Sequence, residues 1–170
     1  MDPLKKEIII FAIVIIIFLF FIATLEPPEP KEIIINKTFL NYSNLFFNYK
    51  IIRYPTNVEI VSPLESNLII GIVSDPWNLN FGVIPGNGSY VTRYAGITNL
   101  KEKFNKIKLK AYGNITPLVN FNKNNFVLEE NTSTAVEVNL FSNYTAFGNY
   151  SGEIDVIIKV PKYNFLSVFL

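Results

Sequence analysis

The residues best able to do chemistry are few in this chain, and their spacing argues against most reaction types. Glu153 and Asp155 stand two apart in Gly152-Glu153-Ile154-Asp155-Val156, so both carboxylates share one face of an extended strand. Such a pair could hold a cation. However, calcium sites need a glycine-rich loop and more oxygen ligands, and neither surrounds this pair. Glu129 and Glu130 are adjacent, so within a strand they point to opposite faces and cannot share a site; a solvated turn is the simpler reading. Lys106, Lys108 and Lys110 form a cationic row that could meet an acidic polymer, or could simply be the wet face of a strand. Trp77, the single tryptophan, could stack on a ligand or pack at a sheet edge.

The chain has no histidine and no cysteine. Without an imidazole, no side chain titrates near neutrality by its unperturbed pKa, and Ser-His and Cys-His nucleophile systems cannot be built. Histidine-ligated zinc is excluded on the same ground. No catalytic residue, cofactor-binding residue or metal ligand is therefore assigned, and no cofactor is expected. With a net charge of +1 and scattered basic residues, nothing marks a nucleic-acid surface.

Seven Asn-x-Ser/Thr triplets begin at Asn36, Asn41, Asn87, Asn114, Asn131, Asn143 and Asn149. The chain's 21 Asn and 18 Ser plus Thr would yield on the order of two by composition alone. Asn, Ser and Thr also gather in turns for conformational reasons, which is the plain alternative. The excess makes these seven candidate glycosylation positions, Asn114 the poorest of them because Pro117 follows its Thr116.

What must position these residues starts with residues 8–25, an apolar run whose only polar member is Thr24. As a helix rising about 1.5 Å per residue it would measure about 27 Å, near the thickness of a bilayer core. Lys5 and Lys6 precede it, and the first residues beyond it carry no positive charge. The expected orientation therefore leaves 1–7 as a cytoplasmic tail, 8–25 as a transmembrane helix and the bulk extracellular. A cleaved signal peptide is the rival; the run is long for one, and Leu25 stands where a small residue is preferred. Pro27, Pro28 and Pro30 predict an extended spacer, so 26–44 reads as an extracellular stalk and 45–170 as the domain.

Within 45–170 the pattern is all-β. Ile107, Leu109 and Ala111 alternate with lysines. Val136, Val138 and Leu140 alternate with Glu137 and Asn139, and Ile154, Val156, Ile158 and Val160 with Glu153, Asp155 and Lys159. A period of two with one charged face predicts half-buried strands of a sandwich. Weaker strands are expected at 58–61, 68–73, 79–84, 90–98 and 126–129, the register of 90–98 staying open because Arg93 shares a face with Val91 and Ala95. Turns are expected at Pro85-Gly86-Asn87-Gly88, at Gly113-Asn114 and between Gly148 and Gly152, and a single helical turn at Asn99–Lys103.

The stretch Leu79-Asn80-Phe81-Gly82-Val83-Ile84-Pro85-Gly86, with Thr98-Asn99 and Phe147-Gly148-Asn149-Tyr150-Ser151-Gly152-Glu153-Ile154, resembles immunoglobulin-like domains of the ASH or MSP type. The resemblance covers roughly residues 75–161, and the β-rich stretch 45–73 lies outside it. It implies an immunoglobulin-like antiparallel β-sandwich, of about seven to nine strands here, that binds macromolecules and carries no catalytic residues.

The apolar segment Phe165, Leu166, Ser167, Val168, Phe169, Leu170 has two readings: a last edge strand, or a docking segment for a partner. Taken together, the expectation is a single-pass, non-enzymatic surface protein of an archaeal-type envelope. Its partners would be the membrane, the surface layer or neighbouring envelope proteins, and copies of itself. An accessory subunit of a motility or secretion complex is the alternative, and a carbohydrate-active envelope enzyme a distant third.

Overall fold

The computed structural model describes residues 3–30, 33–62, 79–86, 88–142 and 147–170, with Pro3, Phe20, Ala23, Thr24 and Phe169 described as backbone only. The strand expected at 68–73, Trp77, Asn87 and Asn143 lie outside these residues.

Strand-forming sequence becomes two sheets. β1 (Thr38–Ser43), β2 (Phe47–Val61), β3 (Gly82–Pro85), β4 (Tyr90–Thr98), β5 (Asn105–Gly113), β6 (Val119–Phe121), β7 (Phe126–Leu128), β8 (Ser133–Phe141) and β9 (Gly148–Pro161) follow α1 (Pro3–Thr24). Sheet A runs β1-β2-β9-β5-β7 with β3 added parallel to β2, and sheet B runs β4-β8-β6; every other pairing is antiparallel. The two sheets enclose a core that includes Val58, Ile60, Phe81, Ile84, Ile107, Leu109, Val136, Val138, Leu140, Ile154 and Val156. These come from the alternating segments and from the weaker strands at 58–61 and 79–84, and each contributes roughly 1.5–3 kcal/mol by leaving water. The fold is a β-sandwich, as the period of two predicts.

β2 extends the strand expected at 58–61 back to Phe47. Over Tyr54 to Ile60 it buries the face toward sheet B, and over Phe47 to Arg53 it buries the opposite face. That change of buried side hides any single alternation from the sequence. Thr38–Ser43, expected within a stalk, is instead an edge strand paired with β2 from Thr38↔Arg53 to Ser43↔Asn48. Its side chains are mostly exposed, so no apolar period marks it.

Gly148 and Gly152 do not bracket a bend; both lie inside β9. Gly152 faces Gly113 across the pair of β5 and β9, and a Cβ at 152 would lie 2.0 Å from the Tyr112 carbonyl oxygen. Backbone proximity, not a turn, requires glycine there. Residues 99–103 form an irregular loop rather than a helical turn. Buried Asn99 organises it, donating to the carbonyls of Lys103 (2.8 Å) and Glu129 (2.9 Å) and accepting from Asn105 Nδ2 (2.7 Å).

α1 contains the apolar run up to Thr24, and none of its described side chains joins either core cluster. Among the described residues, no helix is long and apolar enough to cross a membrane.

Candidate functional site

The face of sheet A that points away from sheet B gathers nearly all the chemistry-bearing residues. Cross-strand register places Tyr49, Lys159 and Lys106 in one row, then Ile51, Ile157 and Lys108, then Arg53, Asp155 and Lys110, then Pro55, Glu153 and Tyr112. Two segments cover this face. The chain leaving α1 crosses it, and a 3-10 turn at Asn164–Phe169 lies on its Tyr49 end.

The crossing segment is bound at several points. Tyr49 donates its hydroxyl to the Leu25 carbonyl (3.1 Å). Lys108 donates to Glu26 Oε1, Lys110 Nζ lies 3.0 Å from Glu26 Oε2 and 3.5 Å from Glu29 Oε1, and Pro27 is buried. Further on, the Ile34 amide donates to Glu153 Oε1. Pro27, Pro28 and Pro30 therefore do not hold the sandwich away from the helix; their stretch lies along the sheet as a strap. Proline suits it, because a strap that forms no ladder loses nothing from a missing amide.

Beneath the strap, Glu153 and Asp155 are 0% and 1% exposed, and Arg53 is 7% exposed. Arg53 donates from Nε to Asp155 Oδ1 and from Nη2 to Asp155 Oδ2, both at 2.7 Å. Those bonds hold its guanidinium even further above its ordinary pKa, against the opposing effect of burial. Glu153 Oε2 lies 3.2 Å from Arg53 Nε but outside hydrogen-bonding geometry, and it accepts no hydrogen bond among the described residues. A bidentate pair plus a second carboxylate is stable in such surroundings only while all members are present. The carboxylates offered by sequence as cation ligands are thus occupied by Arg53 and sealed from solvent. No cluster of three or more potential metal ligands is found among the described residues. The Glu153 and Asp155 face, expected to be wet, is dry because the strap covers it.

Sequence reasoning passed over Arg53. It sits in Ile51-Ile52-Arg53-Tyr54 without alternation, 102 residues from Asp155. The one available signal was an arginine within an apolar run, which has to find an anion if buried.

At the Tyr49 end the strap leaves a cleft of about 240 Å³, lined by Glu26, Pro27, Tyr49, Lys106, Lys108, Asn125, Ile157 and Lys159. Burial, reinforced by the charge of Lys106, holds Lys159 below its ordinary pKa. Its ammonium lies 3.8 Å from the centre of the Phe47 ring. Burial alone would push Glu26 up, but hydrogen bonds from Lys108 and Lys110 outweigh it and hold the carboxyl below its usual range. Leu166 of the 3-10 turn packs with Phe47, Tyr49, Ile51 and Ile157, with Leu170 partly buried alongside. The apolar segment is therefore not an edge strand. Leu166 anchors it, while Phe165 (67%) and Val168 (85%) stay exposed and Tyr163 stacks on Phe165 with ring centres 5.8 Å apart.

The opposite side of the molecule, the outer face of sheet B, differs in kind. Cross-strand pairs there are Tyr90–Phe141, Thr92–Asn139, Tyr94–Glu137, Gly96–Ala135 and Thr98–Ser133. Tyr90 and Thr92 both donate to Asn139 Oδ1, at 3.0 and 2.8 Å. Arg93 points inward with Val91 and Ala95, and its Nε donates to the Asn80 carbonyl at 2.8 Å, which settles the register of β4.

Of the sequon asparagines, Asn36, Asn41, Asn114, Asn131 and Asn149 are exposed. Asn114 already accepts the Ser151 amide (2.6 Å), and Asn131 takes a left-handed backbone at the β7–β8 turn, which Glu129 and Glu130 share as exposed residues. None of the seven falls within β4 or β8. No family model, curated protein or solved structure matches the chain.

Proposed function

We propose that this protein is a single-pass, non-enzymatic membrane-tethered module whose immunoglobulin-like sandwich, of the ASH or MSP type, binds other proteins of the cell envelope. One observation carries the reading: from Ile8 to Phe21 the described side chains of α1 are apolar and exposed around the helix, among them Ile8 (61%), Phe11 (68%), Ile15 (42%), Phe18 (61%) and Phe21 (63%). A helix apolar on every side has to be surrounded by something apolar, and the sandwich does not cover it. A bilayer supplies that environment, with residues 1–7 inside and the sandwich outside, where sequons are accessible to glycosylation.

The partner surface in this reading is the outer face of sheet B. Its Tyr, Thr, Asn, Ser and Gly residues, with Glu137 the one charged side chain among the ten paired positions, provide adaptable hydrogen bonding and rigid aromatic area at low desolvation cost. β4 is also an edge strand among the described residues, so its backbone can accept another strand. The acid pair of Glu153 and Asp155 is sealed under the strap, which supports a non-enzymatic reading.

A photo-crosslinking residue at Tyr94, with a second at Asn114 as control, tests this in native membranes. Discrete adducts from position 94 and none from 114 support it, an adduct of twice the chain's mass identifying self-association. Equal yields from both positions, or protection of the sandwich from protease added to intact cells, overturn it.

A further inference from the structure

We infer that the outer face of sheet B grips a neutral oligosaccharide, the N-linked glycan of an envelope glycoprotein, with Asn139 as the central hydrogen-bonding residue and Tyr90 and Tyr94 as ring platforms. This rests on the reading above that sheet B meets the partner, and it names which part of the partner is held.

The layout of polar and aromatic groups points to the ligand class. Register sets three rows across the sheet: Tyr90 with Phe141, then Thr92 with Asn139 and Asn120, then Tyr94 with Glu137. Amide and hydroxyl groups therefore occupy the middle, with rings on either side. A protein-recognition patch has the opposite layout, an apolar centre that excludes water inside a polar rim. A sugar fits the layout found here, because its hydroxyls require donors and acceptors while its C–H faces rest on aromatic rings. The Tyr90 ring is braced by Phe141, with ring centres 5.0 Å apart. Tyr90 and Tyr94 are 53% and 65% exposed. Four residues of strand set them roughly 14 Å apart along β4, room for a short oligosaccharide.

The centre of the face is preorganised. Asn139 is only 9% exposed, yet it lies on the outer face, since Val138 and Leu140 on either side of it belong to the core. The hydroxyls of Tyr90 and Thr92 both donate to its Oδ1, which fixes the plane of the amide. Its Nδ2 has no acceptor among the described residues and is not one of the atoms sealed from solvent. A side-chain amide with its carbonyl occupied and two N–H groups unspent is a ready donor to hydroxyl oxygens. Charge favours a neutral ligand. Glu137 can accept sugar hydroxyls but repels an acidic polymer, and no cation stands among the paired positions of this face to hold a sulfate or phosphate. The chain's own sequons all lie off β4 and β8, so its own sugars leave these two strands open.

The full chain, labelled with nitrogen-15 in detergent micelles, is titrated with neutral oligosaccharides released by hydrazine from the envelope glycoproteins of native membranes. The Asn139 side-chain amide resonances should shift saturably. Tyr94→Ala should weaken binding at least about fivefold, with thermal unfolding unchanged. No shift at Asn139, or equal binding by Tyr94→Ala, overturns the inference. A second measurement separates it from the reading it rests on. With an aromatic photo-crosslinking residue at position 94, discrete adducts should fall at least about threefold in membranes of cells deprived of N-glycosylation. Undiminished adducts overturn the sugar and leave the partner surface intact, its contact being with polypeptide or another envelope component. Absence of adducts from both kinds of membrane removes the partner reading, and this inference with it.

Discussion

The outer faces of the two sheets carry similar period-two patterns but are opposite in character. On sheet A, Glu153 and Asp155 alternate with core residues as a wet face should, yet they are buried; on sheet B, Tyr90, Thr92 and Tyr94 alternate in the same way and stay accessible. The strands do not make the difference. Sheet A is crossed by the strap and capped by the 3-10 turn, whereas no described segment covers sheet B. A sheet face becomes interior only when another segment crosses it, and charges on it then need partners from their own layer. Arg53 meets that need for Asp155 and Glu153.

The largest effect should come from breaking the covered face. Arg53→Met leaves two buried carboxylates without a cation and should cost about 3–5 kcal/mol, read by denaturant unfolding. Adding Asp155→Leu and Glu153→Leu should recover most of that loss. If the triple variant stays as unstable as Arg53→Met, the charges do more than fill space.

Next in size, Leu166→Ala tests whether the 3-10 turn is part of the cover. Truncating a buried leucine at the cluster with Tyr49 and Ile157 should cost about 2 kcal/mol and expose the turn to protease. Gly152→Ala should cost about 1–3 kcal/mol by forcing β5 and β9 apart at the Tyr112 carbonyl, seen as a lowered Tm.

A smaller effect separates the strap from the strands beneath it. Because the folded state lowers the pKa of Glu26, the strap's ion pairs contribute fully above the ordinary value of 4.5 and fade as pH falls through the lowered one. The carboxylate is well exposed, so the contribution is about 0.5 kcal/mol and falls with salt. Protection factors for the Leu25 and Ile34 amides should drop below pH 4 while those of β9 hold, and Glu26→Gln should remove the pH dependence. Least of all, Tyr94→Ala on the open face should change stability by no more than about 0.5 kcal/mol, since the ring is exposed. A larger loss would mean that sheet B is covered after all.

Much of the architecture was legible from residue order. The lysine-interleaved strand at 105–113, the Val136 to Leu140 alternation and the final strand all appear where their periods place them, because each keeps one face on a single core. β1 and the first half of β2 were not legible. β1 buries almost nothing, and β2 exchanges its buried face near Arg53, so neither keeps a period. The lysine row was visible as a row. That Glu26 and Glu29 would answer it was not, because a proline-rich stretch has the same composition lying on a sheet or standing free.

Sequence alone determined the apolar run at residues 8–25, the absence of imidazole and thiol chemistry, the sequons and the all-β character of the rest, since each depends on residue type or on neighbours within one strand. Tertiary structure alone decided which polar face is dry, which cation meets Asp155 across 102 residues, and where the end of α1 lies relative to the lysines. Those outcomes depend on which segment crosses which face, and a local period carries no information about what lies on top of it.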